Sequence, residues 1–275
     1  MNTPIASVNG AEIPVIGLGT WPMSGDEAVQ AVSTAIAAGY RHIDTAAMYK
    51  NEADVGRGIR EAGIARDELF VTTKVWADQL RQEDFLASAR QSLDLLQMDQ
   101  VDLLLIHWPP KDISVAEAVH SLNLAKAEGL TRHIGVSNFT STQLEQAWQA
   151  TEYPLVANQC EYHPALDQTT VLNACRDRGM AFTSYMPLSR GKVMDDPAIQ
   201  SLAEKYNKTP GQIILRWHIQ QPNVVAIPKS ATPARIRENL AIFDFELTVG
   251  EMHQIHALSQ PDGRMCWGDF APDWD

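Results

Sequence analysis

Eight short β-branched or aliphatic runs recur along the chain: VIGLG (15–19), RHIDT (41–45), LFVTTKV (69–75), VDLLLIH (101–107), RHIGVS (132–137), LVANQCE (155–161), AFTSY (181–185) and VVAIP (224–228). Between them lie segments such as GDEAVQAVSTAIAAGY and EDFLASARQSLDLLQ, with apolar residues at the i, i+3, i+4 spacing of a helix that buries one face. Strands alternating with helices imply parallel βαβ units. Most of the runs are apolar nearly throughout, as strands covered on both faces must be. A count of eight predicts an α/β fold closed into a (β/α)8 TIM barrel. Gly17-Leu18-Gly19 lacks the remainder of a dinucleotide fingerprint and reads as a tight strand-end turn.

Barrels of about 250 residues form one domain, so the 275 residues are read as a single domain, 1–275, with an irregular aromatic tail at 260–275. No apolar run reaches the roughly 18 residues of a membrane span. The start, MNTPIASVNGAEIPVIG, lacks the pattern of a secretory signal. Three cysteines with no CxxC fit a reducing compartment, and the cytoplasm is expected. A net charge of −12 argues against nucleic acid as a partner. A monomer acting on a small molecule, without nucleic acid or membrane, is the expectation.

Active sites of such barrels gather at the C-terminal ends of the strands. Asp44 ends the second run, Tyr49 follows it, Lys74 lies near the end of the third, and His107 ends the fourth. A charge inside a barrel strand is costly unless paired, and Asp44 is one strand away from Lys74. A lysine beside a phenol lowers its pKa from about 10, which suits Tyr49 to general acid work. His107 could orient a carbonyl oxygen. Singly, such residues are more often structural, and Lys74 could instead form a Schiff base as in barrel aldolases. The His residues show no metal-binding spacing, so no metal is expected.

A second cluster lies in IPKSATPARIREN (227–239), where Lys229, Arg235 and Arg237 fall within nine residues. Thr232-Pro233 reads as an N-cap followed by proline at the first helical position. Arg235 in the first turn is disfavoured by the helix dipole unless an anion binds there. Lys229, Ser230 and Arg235 then make a phosphate site; a solvated basic helix start is the plainer alternative.

Along essentially its whole length the chain resembles an aldo-keto reductase, through GLGTW (17–21), GYRHIDTAAMYKNEADVG (39–56), TTKVW (72–76), DLLLIHWP (102–109), IGVSNF (134–139), NQCEYHP (158–164) and IPKSATPARIREN. Within that family it is most similar to the bacterial 2,5-diketo-D-gluconate and methylglyoxal reductases. The resemblance implies NADPH as cofactor and a catalytic set of Asp44, Tyr49, Lys74 and His107. Ser137, Asn138 and Gln159 are then expected at the carboxamide and Tyr185 against the nicotinamide. Lys229, Ser230 and Arg235 are expected at the 2′-phosphate, with Glu238 and Asn239 near the adenine. Gly19, Thr20, Asp44, Pro187, Leu188 and Thr232 complete the expected cofactor contacts.

By the same analogy Trp21, Tyr49, His107 and Trp108 line the substrate pocket, with Trp267 and Phe270 closing it from the tail. The expected activity is NADPH-dependent reduction of small aldehydes, 2-oxoaldehydes and diketo sugar acids by direct hydride transfer, Tyr49 giving the proton. A non-catalytic NADPH-binding sensor and a Lys74 Schiff-base lyase are the rival readings.

Overall fold

The computed structural model describes residues 3–275. Met1 and Asn2, the first residues of the start read as lacking a secretory signal, lie outside the described residues. The chain opens with an antiparallel hairpin, β1 (Ile5–Val8) and β2 (Ala11–Pro14), which the eight-run reading had not included. Its two-residue turn is Asn9-Gly10, both at positive φ (44° and 86°), the conformation that an Asn-Gly pair adopts most readily. The Asn9 amide donates to Leu155 O at 2.8 Å and Arg178 O at 2.9 Å, tying the turn to the barrel.

Every one of the eight expected runs forms a strand of one parallel sheet: β3 (Leu18–Gly19), β4 (His42–Asp44), β5 (Phe70–Val75), β6 (Val101–Ile106), β7 (Thr131–Ser137), β8 (Leu155–Glu161), β9 (Ala181–Tyr185) and β10 (Val224–Ala226). Spatial order follows chain order, and the two edges meet. Ile16 bridges Ala226 in parallel, and the N–H groups of Gly17 and Gly19 donate to Ala226 O (2.9 Å) and Pro228 O (3.2 Å). The sheet is therefore a closed barrel. Gly17 and Gly19 serve this seam: a Cβ on Gly17 would stand 2.8 Å from the His42 ring, and one on Gly19 2.8 Å from Ile227 O. That is the work of a tight strand end and not of a dinucleotide fingerprint.

Among the described residues, ten α-helices wrap the barrel: α1 (Gly25–Ala38), α2 (Glu52–Glu61), α3 (Gln82–Leu96), α4 (Val115–Ala127), α5 (Ser141–Ala150), α6 (Thr169–Asp177), α7 (Pro197–Tyr206), α8 (Pro210–Ile219), α9 (Pro233–Leu240) and α10 (Val249–His256). α1 shows why they form. Ala28, Val29, Ala31, Val32, Ala35 and Ile36 make its buried stripe, and Gly39 ends it at φ 113°. Capping boxes start α5 (Thr140, Gln143), α8 (Thr209, Gln212) and α10 (Thr248, Glu251). Each such cap contributes about 1 kcal/mol.

At the N-terminal end of the strands, the hairpin residues Ala6, Val8, Ala11 and Ile13 pack with Phe70, Leu103, Val156 and Ala181. This apolar plug closes the bottom of the barrel and leaves the chemistry to the opposite end. Among the described residues, 260–275 contains no helix or strand, and no helix is long and apolar enough to cross a membrane.

Candidate active site

At the open end, three strands and one turn deliver the ionisable residues to one place. Asp44 is the last residue of β4, Lys74 the penultimate residue of β5, and His107 follows β6 directly. Tyr49 ends a 3-10 turn, Ala47–Tyr49, which Lys50 terminates at φ 55°. Two residues beyond Tyr49, the buried Asn51 holds the loop in place. Its amide donates to Met23 O (2.9 Å) and Thr20 O (3.2 Å), and its oxygen accepts from Thr45 Oγ1 (2.8 Å).

Lys74 is wholly buried, and its Nζ donates to Asp44 Oδ1 (2.6 Å), Thr45 O (2.8 Å) and, at the long limit of 3.5 Å, Tyr49 Oη. The other Asp44 oxygen accepts from Gln159 Nε2 at 2.7 Å. Burial alone would lower the Lys74 pKa, but Asp44 and Tyr49 outweigh it and push it above its ordinary value. Lys74 therefore stays an ammonium. His107 is driven well below its ordinary value, by burial first and the Lys74 charge second, so its ring is neutral. Its Nδ1 is buried with no partner among the described residues.

Tyr49 corrects the sequence expectation. Lys74 does pull the phenol down, but burial is the larger influence and the net direction is upward. The sequence showed the lysine and not the depth of the ring.

Above these groups is a cavity of about 380 Å³. Trp21, Trp76, Trp108, Tyr185 and Phe270 form much of its wall, with Met48, Met186, Arg190 and Cys266 at other points. Trp108 is buried against Phe270, ring centres 4.6 Å apart, whereas Trp21 is 46% exposed at the rim. Trp267 is corrected: it is exposed, hydrogen-bonds to Arg264 O, and is not part of the wall.

Of the residues expected around the cofactor, Gly19, Thr20, Asp44, Asn138, Gln159, Tyr185 and Lys229 line this cavity. Several are wired together. Tyr185 Oη donates to Asn138 Oδ1 (2.8 Å), Asn138 Nδ2 to His107 O (3.0 Å) and Ser137 Oγ (3.1 Å), and Ser137 Oγ to Gln159 O (2.7 Å). Pro187 is buried with its carbonyl 3.1 Å from His218 Nε2, and Leu188 is half-buried; neither is among the wall residues.

The remaining positions extend from Lys229 to α9. Thr232 is its N-cap and Pro233 its first residue, as the sequence predicts, yet the Thr232 side chain makes no cap bond. Ser230 Oγ accepts the Thr232 N–H instead, at 3.1 Å. The N–H groups of Ala234 and Arg235 have no intrahelical acceptor. Lys229, Thr232 and Arg235 are exposed beside them and Ser230 is buried. This is a polar, cationic helix start equipped for an anion. Glu238 accepts from Thr209 Oγ1 at 2.7 Å, and Asn239 is buried on the same helix.

Trp76, Met48, Arg190 and Cys266 were not among the expected site residues. Trp76 had a usable signal, since it stands two places beyond Lys74 and so shares its face of the extended chain. Arg190 and Cys266 reach the wall through loops whose course no local pattern carries. Among the described residues, no cluster of three or more His, Cys, Asp or Glu is placed to hold a metal.

The open end of a parallel eight-stranded barrel thus holds a buried Asp44–Lys74 pair beside Tyr49, and a neutral histidine, under an aromatic cavity. Residues 15–260 match the Aldo/keto reductase family, and the chain belongs to it. It is 43% identical to methylglyoxal reductase DkgB of Yersinia pestis, over 96% of this chain and 99% of that one. A crystal structure of a protein provisionally named 2,5-diketo-D-gluconic acid reductase B superposes with a TM-score of 0.97 at 47% identity, covering 98% of this chain and 97% of that chain. The aldo-keto reductase of Bombyx mori, solved in complex with NADP, superposes at 0.89 with 38% identity, covering 94% of both chains.

Proposed function

We propose that this chain is an NADPH-dependent reductase of small aldehydes, 2-oxoaldehydes and diketo sugar acids, working as a single-domain monomer in the cytoplasm. The observation that carries the reading is the buried Lys74 ammonium, 2.6 Å from Asp44 and 3.5 Å from the Tyr49 phenol, beneath the aromatic cavity. The methylglyoxal and diketogluconate reductases that the chain resembles support the substrate class, and the NADP complex of the silkworm relative supports the cofactor.

When bound, the nicotinamide supplies hydride to the carbonyl carbon. The chain's own groups handle the oxygen. Tyr49 donates its phenolic proton as negative charge builds on that oxygen. Lys74 stabilises the phenolate left behind, and Asp44 keeps Lys74 charged and aimed. The neutral His107 ring donates an N–H that orients the oxygen. Ser137, Asn138 and Gln159 offer amide and hydroxyl groups to a carboxamide, and the Tyr185 ring offers a stacking face. Lys229, Ser230, Arg235 and the α9 N-terminus fit a 2′-phosphate, which favours NADPH over NADH. Three free cysteines, two of them buried, suit a reducing compartment.

Lys74 is poorly suited to the rival lyase reading. A Schiff base needs a neutral, accessible amine, and this one is fully buried and held charged by Asp44. The test is NADPH oxidation against methylglyoxal, 2,5-diketogluconate and an aromatic aldehyde, with NADH in parallel. Consumption with NADPH well above NADH is expected. Binding of NADPH without consumption of any substrate overturns the reading in favour of a sensor. Size-exclusion mass checks the monomer.

A further inference from the structure

Glu161, the last residue of β8, is withdrawn completely from solvent and has no part in the chemistry above. Its carboxylate is engaged by the far end of the chain. Oε1 accepts the Met265 N–H at 2.7 Å and Oε2 the Cys266 N–H at 2.8 Å, across 104 and 105 residues of sequence. His163 Nε2, equally buried, is 3.1 Å from Oε1. Burial alone would raise this carboxyl; the His163 and backbone donors outweigh it and hold it below its usual range. The group is thus a charged acceptor with three partners.

The tail it grips has no helix or strand to satisfy its backbone, so side chains, turns and the backbone of the barrel loops must do so. Gln260 N–H donates to Ala165 O at 3.0 Å, and Gly263 passes so close that a Cβ would fall 1.8 Å from the same oxygen. At the other end the Asp275 carboxylate accepts from Ser141 N–H (2.6 Å) and Ser141 Oγ (3.0 Å). Between these anchors lie Cys266, in the cavity wall, and Phe270, whose ring centre is 4.6 Å from Trp108 and 5.5 Å from Trp76. Of these anchors, the Glu161 pair is the one adjoining the wall segment on its N-terminal side.

We propose that Glu161 is a positioning residue for substrate size: by holding Met265 and Cys266 it fixes Phe270 against Trp76 and Trp108, and so shapes the outer cavity for the far end of a bulky carbonyl substrate. The inference rests on the reductase reading of that cavity. A small 2-oxoaldehyde reacts at Tyr49 and His107 without reaching Phe270. A fused-ring aldehyde leans on that wall.

The experiment compares wild type, Glu161→Gln and Met265→Pro with methylglyoxal and 2-naphthaldehyde. Met265→Pro deletes one gripped N–H from the tail side and leaves the barrel interior intact, should Glu161→Gln fail to fold. The expected result in either folded variant is KM for 2-naphthaldehyde raised about tenfold, with kcat and the methylglyoxal KM changed less than about threefold. The double variant is expected to be no worse than the more affected single, because both cut one contact. Chymotryptic cleavage after the exposed Trp267 is expected to accelerate in each. An unchanged ratio of the two KM values in an active, folded variant overturns the inference alone. Wild-type protein that oxidises NADPH with neither aldehyde overturns the functional reading, and the role in substrate size with it; the cleavage rates then still report whether Glu161 holds the tail.

Discussion

Lys74 Nζ and Asp44 Oδ1 stand 2.6 Å apart on adjacent strands, both side chains sealed from solvent. Removing one member of a buried ion pair leaves an uncompensated charge, which costs about 3–5 kcal/mol. Asp44→Ala is expected to lose that much in urea unfolding and to lose most of its turnover. A loss below about 1 kcal/mol would mean that the pair behaves like an exposed one.

Tyr49→Phe removes the proton donor and leaves the ring. Reduction is expected to slow by about 10²–10⁴-fold, while NADPH affinity by fluorescence titration stays within a few fold. Loss of cofactor binding would assign Tyr49 a different role. Because burial raises this phenol, the protonated form persists past its ordinary value of about 10. The kcat/KM profile for reduction is expected to show no alkaline fall from Tyr49 below that pH. His107, held neutral, is expected to add no acid limb near 6.5. An inflection at either place contradicts these environments.

His218 carries a pH-dependent share of stability. Its pKa is lowered from 6.5 to about 3, by burial above all, while Pro187 O opposes the shift. A base depressed in the folded state binds its proton more readily when unfolded. Stability is therefore full above about 6.5 and falls as pH drops from there towards about 3. At pH 5 the loss from this residue is about 2 kcal/mol. Urea midpoints at pH 7 and pH 5 measure the total, and His218→Gln is expected to reduce the difference; an unchanged difference refutes the assignment.

Arg235→Ala tests the anion site at the start of α9. A charge-assisted hydrogen bond contributes about 1.5–3 kcal/mol, so the NADPH Kd is expected to rise about tenfold or more. The NADH Kd is expected to stay put. Equal weakening of both would place Arg235 away from the 2′-phosphate.

The barrel was readable in the sequence because each strand is covered on both faces and each helix on one, so both periods are written into the residues. Lys74 was readable because an ionic side chain in LFVTTKV needs a partner. What escaped depends on distance along the chain. The Asn9-Gly10 hairpin carried its turn signal, but its strands are short and its packing partners begin at Phe70. Glu161 looked like one more residue of NQCEYHP, because its partners lie 104 and 105 positions away. The Tyr49 pKa escaped for a related reason: its sign depends on burial, which neighbours in sequence do not reveal.

The plug of Ala6, Val8, Ala11 and Ile13 turns the barrel into a vessel with one door. With that end packed shut, cofactor and carbonyl compound would share the opening at the other end. In the proposed reading the nicotinamide lies against the strand ends and the substrate rests on top of it. Traffic through a single doorway then imposes a queue: what sits deeper arrives first and departs last. In that reading the hairpin, at the far end of the molecule from both reactants, helps to set the order of events at the mouth.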